Sequence, residues 1–285
     1  MRGLLRFLIV VQLVAGVTLA VTMEPEPEAA DVQTAGSTTS STAAPAATTT
    51  AVRAVATTAP KPTITTTTAP PRLKPTPSGK YAYRLQTTAE GKTKTTKGTW
   101  AYFSARETDG ELRQMMLDST EDDSDGLIWT RVTHAWRPDG LYLQSFREEG
   151  TDGTNNECDV EPDLLVAPSP LVVGKKWTST TACPGYDPPL QFEATSAVLR
   201  TDQIAVGGKR VAVYVIETRG RVPVDGAEAR FHDIAYFNVD LGFSVRDETT
   251  YSSDVPGSGS EKETYELLSL TPTPMDKTTT TTAPS

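Results

Sequence analysis

Two cysteines, two histidines and one acidic hexapeptide are the residues of this chain whose types and spacing put chemistry to the test. A hydrolytic triad needs a nucleophile, a base and an orienting carboxylate, and only His134 and His232 are available as the base. Both lie inside alternating strand-like runs, where a histidine on a sheet face is the simpler reading. No Gly-x-Ser-x-Gly elbow, phosphate-cradling glycine loop or His-Glu-x-x-His helix occurs. Glu121-Asp122-Asp123-Ser124-Asp125-Gly126 sets carboxylates at alternate positions before a glycine, as calcium loops do, yet Val132 stands where the bidentate Glu should fall. An acidic turn is therefore expected, with no metal and no other cofactor, and an enzymatic role is the lesser expectation.

Cys158 and Cys183 are the only cysteines. In an exported chain two cysteines are expected to pair, whereas a thiolate metal site would need a third Cys or a nearby His. Closing a loop of that length contributes about 3 to 4 kcal/mol in the chain-entropy model. Export is suggested by Arg2 and Arg6 ahead of an apolar run at residues 7–21, broken only by Gln12, Gly16 and Thr18. That run falls short of the roughly 20 residues needed to span the hydrocarbon core. Residues 1–22 thus read as a signal peptide or, if uncleaved, a signal anchor. Location outside the cell or in its envelope follows, with membrane contact only through that segment.

Residues 23–78 are mostly Thr, Ala, Pro and Ser. They cannot bury enough apolar surface to offset their ordering entropy, so a disordered linker is expected, either an O-glycosylated stalk or an unmodified tether. Residues 272–285 repeat that composition as a tail. The remaining single domain, residues 79–271, holds 20 Lys+Arg and 31 Asp+Glu, against 27 and 36 in the 285-residue chain with its net charge of −9. All the acidity belongs to the domain. A nucleic-acid partner is excluded, because phosphate binding needs a basic stripe, and docking of the domain on anionic lipid is disfavoured. The many acids leave carboxylate pairs for glycoside hydrolysis open.

Period-2 alternation runs through the domain. Tyr81, Tyr83 and Leu85 alternate with Ala82, Arg84 and Gln86; Thr130, Val132, His134 and Trp136 share one face of another run. Further strands are expected at residues 141–146, 190–200, 211–221, 229–239, 243–251 and 262–270. Gly207-Gly208 and Asp240-Leu241-Gly242 read as hairpin connections. Only residues 151–189, with six prolines, break the rhythm. Nine or ten long strands joined by short turns predict an all-β fold with little helix. Its antiparallel sheet should be strongly curved, a half-barrel or barrel-like meander, with a sandwich as the other solution.

Pro170-Leu171-Val172-Val173-Gly174-Lys175-Lys176-Trp177, followed by Tyr236-Phe237-Asn238-Val239-Asp240-Leu241-Gly242-Phe243, resembles the pattern of exported bacterial β-proteins related to the LolA/LolB lipoprotein-carrier fold and the DUF3108-like group. The resemblance covers residues 170–270 and implies a curved antiparallel sheet with a concave apolar face. The chain departs from that group in having no cysteine before Cys158 to carry a lipid. Trp100, Tyr102, Trp129, Trp136, Tyr214 and Tyr236 all fall in strands that can line one concave surface, either as ordinary core or as ligand-facing aromatics. The expectation is a monomeric, exported or cell-surface, non-enzymatic β-domain on a stalk. It would bind a lipid-like or other apolar envelope ligand in the curve of its sheet. A polysaccharide hydrolase using a carboxylate pair, and a structural or adhesive domain, are the alternatives.

Overall fold

In a computed structural model, the structure describes residues 72–120, 127–150, 155–184, 190–224, 227–254 and 260–275. The expected signal segment, the linker up to residue 71 and the acidic turn at residues 121–126 lie outside them. Among the described residues there is no helix and there are thirteen strands: β1 (Gly79–Ala89), β2 (Lys92–Tyr102), β3 (Arg106–Thr108), β4 (Glu111–Thr120), β5 (Leu127–Arg137), β6 (Gly140–Gly150), β7 (Asn155–Pro168), β8 (Lys176–Cys183), β9 (Leu190–Val206), β10 (Lys209–Val224), β11 (Ala227–Asn238), β12 (Phe243–Ser253) and β13 (Glu261–Leu267). From β4 to β13 each strand pairs antiparallel with the next in sequence, β13 pairs with β1, and β1 with β2. Pairing of β2 with β4, from Gly98↔Thr120 to Tyr102↔Met116, then closes twelve strands into a barrel. The short β3 hangs on the first residues of β4.

The alternation in the sequence is the reason for the closure. In β1 Tyr81, Tyr83 and Leu85 are buried while Ala82, Arg84 and Gln86 are exposed, and in β9 Leu190, Phe192, Ala194, Ser196 and Val198 are buried while Gln191, Glu193 and Thr195 are exposed. One apolar face per strand must find a common interior, and a long twisted meander does so by curling onto itself while losing its open edges. At Gly207-Gly208 both residues take positive φ (54° and 78°), the geometry of the tight hairpin expected there.

Residues 151–189, irregular by composition, contribute two strands of the wall, β7 and β8. Their pattern was hidden because β7 does not run straight. Against β6 it passes from Ser145↔Asp159 to Leu143↔Leu164, so a step of two residues on β6 is matched by five on β7. This bulge also spoils the next pairing, and β7 meets β8 at one register position, Glu161↔Ala182.

Residues 72–78, placed in the linker by their composition, pack against one end of the barrel. Gln114 receives the Thr76 N–H at 3.0 Å and donates to the Thr76 and Phe103 carbonyls at 2.7 and 2.8 Å. The Leu73 N–H donates to Ser169 Oγ at 3.2 Å, and Tyr81 OH to the Pro77 carbonyl at 2.9 Å. Leu73 itself covers a cluster of Trp136, Leu141, Leu171 and Phe237. Gly242 is required beneath this strap, since a Cβ there would stand 2.6 Å from the Lys74 carbonyl and from the Trp136 ring. On the other side of the boundary, Thr273 exchanges backbone hydrogen bonds with Lys80. Backbone hydrogen bonds and buried polar contacts, together with Leu73, hold these flanks to the barrel.

Candidate functional site

The β7–β8 seam is joined by side chains where backbone pairing fails. Trp177 Nε1 and Ser179 Oγ both donate to the Leu165 carbonyl, at 3.1 and 3.3 Å, and Thr181 Oγ1 donates to the Pro162 carbonyl at 2.5 Å. Cys158 and Cys183 form a disulfide that ties the two strands together with a Cα–Cα distance of 5.2 Å. From outside, Asp163 on the bulge is held by Arg137 and by Gln144 Nε2 at 3.1 Å, and Arg137 Nε also donates to Glu111 at 2.6 Å. These partners hold the Glu111 carboxyl below its usual range, the Arg137 hydrogen bond being the main cause.

Behind the seam lies a cavity of about 60 Å³. Its apolar lining comes from Leu164, Leu165 and Val166 on β7, Phe192 and Ala194 on β9, Ile216 on β10, and Phe231, Ala235 and Phe237 on β11. Ser179, Ser196, Thr218, Asp233 and Ser244 supply the polar part. Space remains here because Ala194, Ser196, Thr218 and Ala235 are small where they stand between Phe192, Phe231 and Phe237. Ser196, Thr218 and Asp233 are register neighbours on β9, β10 and β11, so they form one row across the wall. Ala194 and Phe231 flank that row on one side, Ile216 and Ala235 on the other.

Asp233 is the titratable member of the lining. It is 2% exposed, and Thr249 Oγ1 donates to its Oδ1 at 2.8 Å while Oδ2 has no hydrogen-bond partner. Burial pushes its pKa up to about 7, against the Thr249 hydrogen bond and with help from Glu248. Next to it, Asp247 on β12 is fully buried, and burial together with the Asp233 charge raises its pKa well above the carboxylate range, the Ser244 hydroxyl opposing. Glu263 on β13 is raised in the same way by burial, with Thr87 Oγ1 donating to Oε1 at 3.3 Å and Oε2 unpartnered. Among the described residues, no group of three or more His, Cys, Asp or Glu is arranged to hold a metal ion.

The sequence singled out the disulfide, which forms, and six aromatics, none of which lines the cavity. Trp100 and Tyr102 are buried in a knot with Tyr81, Tyr83, Phe243 and Tyr265, the Trp100–Tyr265 centroids 4.2 Å apart. Trp136 belongs to the cluster under the strap, and Tyr214 packs against the same cluster. Trp129 is half-buried with the Arg131 guanidinium 5.9 Å from its ring, and Tyr236 lies 5.5 Å from that of Arg246. His134 is buried facing inward and burial lowers its pKa to about 4, which leaves it neutral. His232 is on the outer surface, 2.9 Å from Glu217. The residues that sequence reading missed are Asp233, Asp247 and Glu263. Their signal was present: Ala229, Phe231, Ala235 and Phe237 mark the inward face of β11, and Asp233 interrupts it.

No family model matches the chain, and no curated protein does. Three solved structures are similar to it. One, provisionally described as an exported protein with a YmcC-like fold from Bacteroides fragilis, is 11% identical over 69% of this chain and 97% of its own, with a TM-score of 0.42. A protein from Parabacteroides distasonis, provisionally described as a lipoprotein, is 9% identical over 68% and 96%, with a TM-score of 0.42. YmcC from Escherichia coli, described as a hypothetical lipoprotein, is 9% identical over 66% and 88%, with a TM-score of 0.31. None of the three is described as a LolA, LolB or DUF3108 protein.

Proposed function

We propose that the domain is a non-catalytic binding module of an exported protein, and that the apolar part of a small ligand occupies the cavity behind the β7–β8 seam. The observation that carries this reading is the cavity itself, set where a closed barrel has its single-position strand pairing. Entry there disturbs few backbone hydrogen bonds, while the disulfide keeps the two strands from parting. Export is supported by the Arg-flanked apolar run at residues 7–21 and by a disulfide, which an oxidising compartment sustains.

Size limits the ligand. One water needs about 10 to 15 Å³ of such volume, so the cavity corresponds to roughly four to six waters. A whole acyl chain or a drug-sized molecule needs a pocket of several hundred Å³. The ligand is therefore a small molecule, or the end of a larger one reaching in through the seam. A pyranose ring does not fit beside Asp233, and Asp247 is sealed from the cavity wall, so the acid pair lends no support to polysaccharide hydrolysis.

Titration of the full chain with 1-butanol, followed by methyl NMR, tests the reading. Saturable shifts confined to Leu164, Ala194, Ile216 and Ala235 are expected, and Ala235→Phe, which fills the cavity, should remove them. Shifts that are linear in concentration and spread over the barrel would overturn it.

A further inference from the structure

We infer that the ligand of this cavity carries a small cationic head of the alkylammonium type, seated against Asp233. The inference rests on the binding reading above and adds to it the chemistry of the head group. Its basis is a polar belt inside the barrel. Ser196, Thr218, Asp233, Thr249, Glu263 and Thr87 are register neighbours in turn across β9, β10, β11, β12, β13 and β1. Within the belt, Ser196 and Thr218 share a hydrogen bond of 3.0 Å, Thr249 serves one oxygen of Asp233, and Thr87 one oxygen of Glu263. The second oxygen of each acid is buried without a hydrogen-bond partner.

Such a set is costly unless something completes it, since a buried carboxyl oxygen without a partner loses its hydration and gains nothing. Of the acids, Asp233 is the one that lines the cavity, so completion there comes from whatever the cavity holds. The sign of the charge is fixed by what surrounds it. Thr249 faces Asp233 from β12 with Asp247 as its diagonal neighbour, opposite Ala235; Glu263 lies one strand further on β13, and Glu248 acts from the outer face of β12. On β10 the facing group is Thr218, and β9 and β7 present Ser196 and Leu164, none of them charged. The buried polar residues among those described include no Lys or Arg, and the single His, His134, is neutral. Burial keeps Asp247 and Glu263 protonated, so Asp233, with its pKa near 7 and one unpartnered oxygen in the cavity lining, is the group that can carry charge here, and the buried residues supply no cation to meet it.

Shape narrows the class. Phe192, Phe231, Ile216, Ala235 and Phe237 offer no hydrogen bonds, so a cavity full of water would leave most of those waters poorly bound. A short hydrocarbon body with an ammonium at one end satisfies both walls: the body lies on the apolar lining and the N–H groups reach Asp233 Oδ2 and the Ser196–Thr218 hydroxyls. Proton and cation then compete for the same carboxyl. Below pH 7 Asp233 holds a proton that the ligand must displace; above it, the site is already anionic.

The test uses the full chain, 1-butylammonium chloride and 1-butanol as probes of equal length, and calorimetry at constant ionic strength. Butylammonium should bind more tightly than butanol at pH 8, weaken about ten-fold between pH 8 and pH 6 as Asp233 takes up its proton, and release protons on binding at pH 6. Butanol should lack that pH dependence. In Asp233→Asn the preference for butylammonium should vanish while butanol still binds, which separates loss of the head-group site from loss of the cavity. The wild-type pH profile stands as an independent arm if the variant does not fold. Equal affinity for the two probes, or butylammonium binding that is flat with pH, overturns the cationic head and leaves the apolar site standing. Saturable binding of neither probe overturns both readings.

Discussion

On the β1, β2, β12 and β13 side of the barrel, Tyr81, Tyr83, Trp100, Tyr102, Phe243 and Tyr265 interlock at centroid distances of 4.2 to 5.8 Å. On the β7, β8 and β9 side, the inward positions include the small Ser179, Thr181, Ala194 and Ser196 beside Leu164, Leu190 and Phe192, and β7 and β8 meet at one register position. The strands of both sides follow the same alternation. What differs is the volume of the inward residues and the regularity of the backbone. A twelve-stranded barrel is wider than an eight-stranded one, whose interior side chains just fill, so it stays solid only where large rings reach the middle. Where small residues stand in their place the interior retains space, and the wall needs a disulfide and side-chain hydrogen bonds in place of a ladder.

The sharpest way to break this contrast is to cut into the ring-filled side. Trp100→Ala should cost about 4 kcal/mol, because the hole it leaves is walled by rings already in contact, and denaturant titration should show the midpoint falling with little change of slope. Next, replacing both Cys158 and Cys183 by Ala should cost about 3 kcal/mol. Hydrogen exchange should then quicken in β7 and β8 before the aromatic wall, and uniform loss of protection would contradict the seam's independence.

The buried acids sharpen the contrast through pH. The pKa of Asp233 in the folded chain, about 7, lies above its ordinary 3.8, so between those values the folded state holds a proton that the unfolded state has released. Stability contributed by that proton is present below pH 4 and drains away as the pH rises through 7, the reverse of a salt-bridged carboxylate. Asp233→Asn cannot ionise and should be more stable than the wild type above pH 7, by on the order of 4 kcal/mol, with the difference vanishing near pH 4. Thermal unfolding across pH 4 to 8.5 checks this; a variant destabilised at every pH would show that the Thr249 hydrogen bond outweighs the burial of charge. The smallest effect belongs to the seam's side-chain fastenings. Trp177→Phe, which removes the indole N–H bonded to Leu165, should cost about 1 kcal/mol and leave the aromatic wall's ring-current shifts unchanged.

Much of the wall was legible from alternation alone: Tyr81, Tyr83 and Leu85 in β1 and Thr130, Val132, His134 and Trp136 in β5 share faces as their spacing indicates. Less legible was whatever depends on partners distant in sequence. β7 escaped notice because its bulge at residues 160–163 breaks the period, and the strap at residues 72–78 because Thr76 and Gln114 recognise each other across 38 positions. The aromatics were visible as a set, but composition does not say that they fill one side of a closed barrel. The cavity formed instead where Ala194, Ser196, Thr218 and Ala235 are too small to meet across it. Asp233 was overlooked because one acid among many carries no weight until its register neighbours show that it points inward.

The central claim is that free space lies behind the seam and not within the aromatic wall. Xenon bound to crystals of the protein under pressure tests it most directly, since a dry apolar cavity takes up xenon and a packed core does not. One xenon site in contact with Leu164, Phe192, Ala194 and Ala235 is the predicted result. Xenon bound instead among Tyr83, Trp100 and Tyr265, with the seam cavity left vacant, would contradict it.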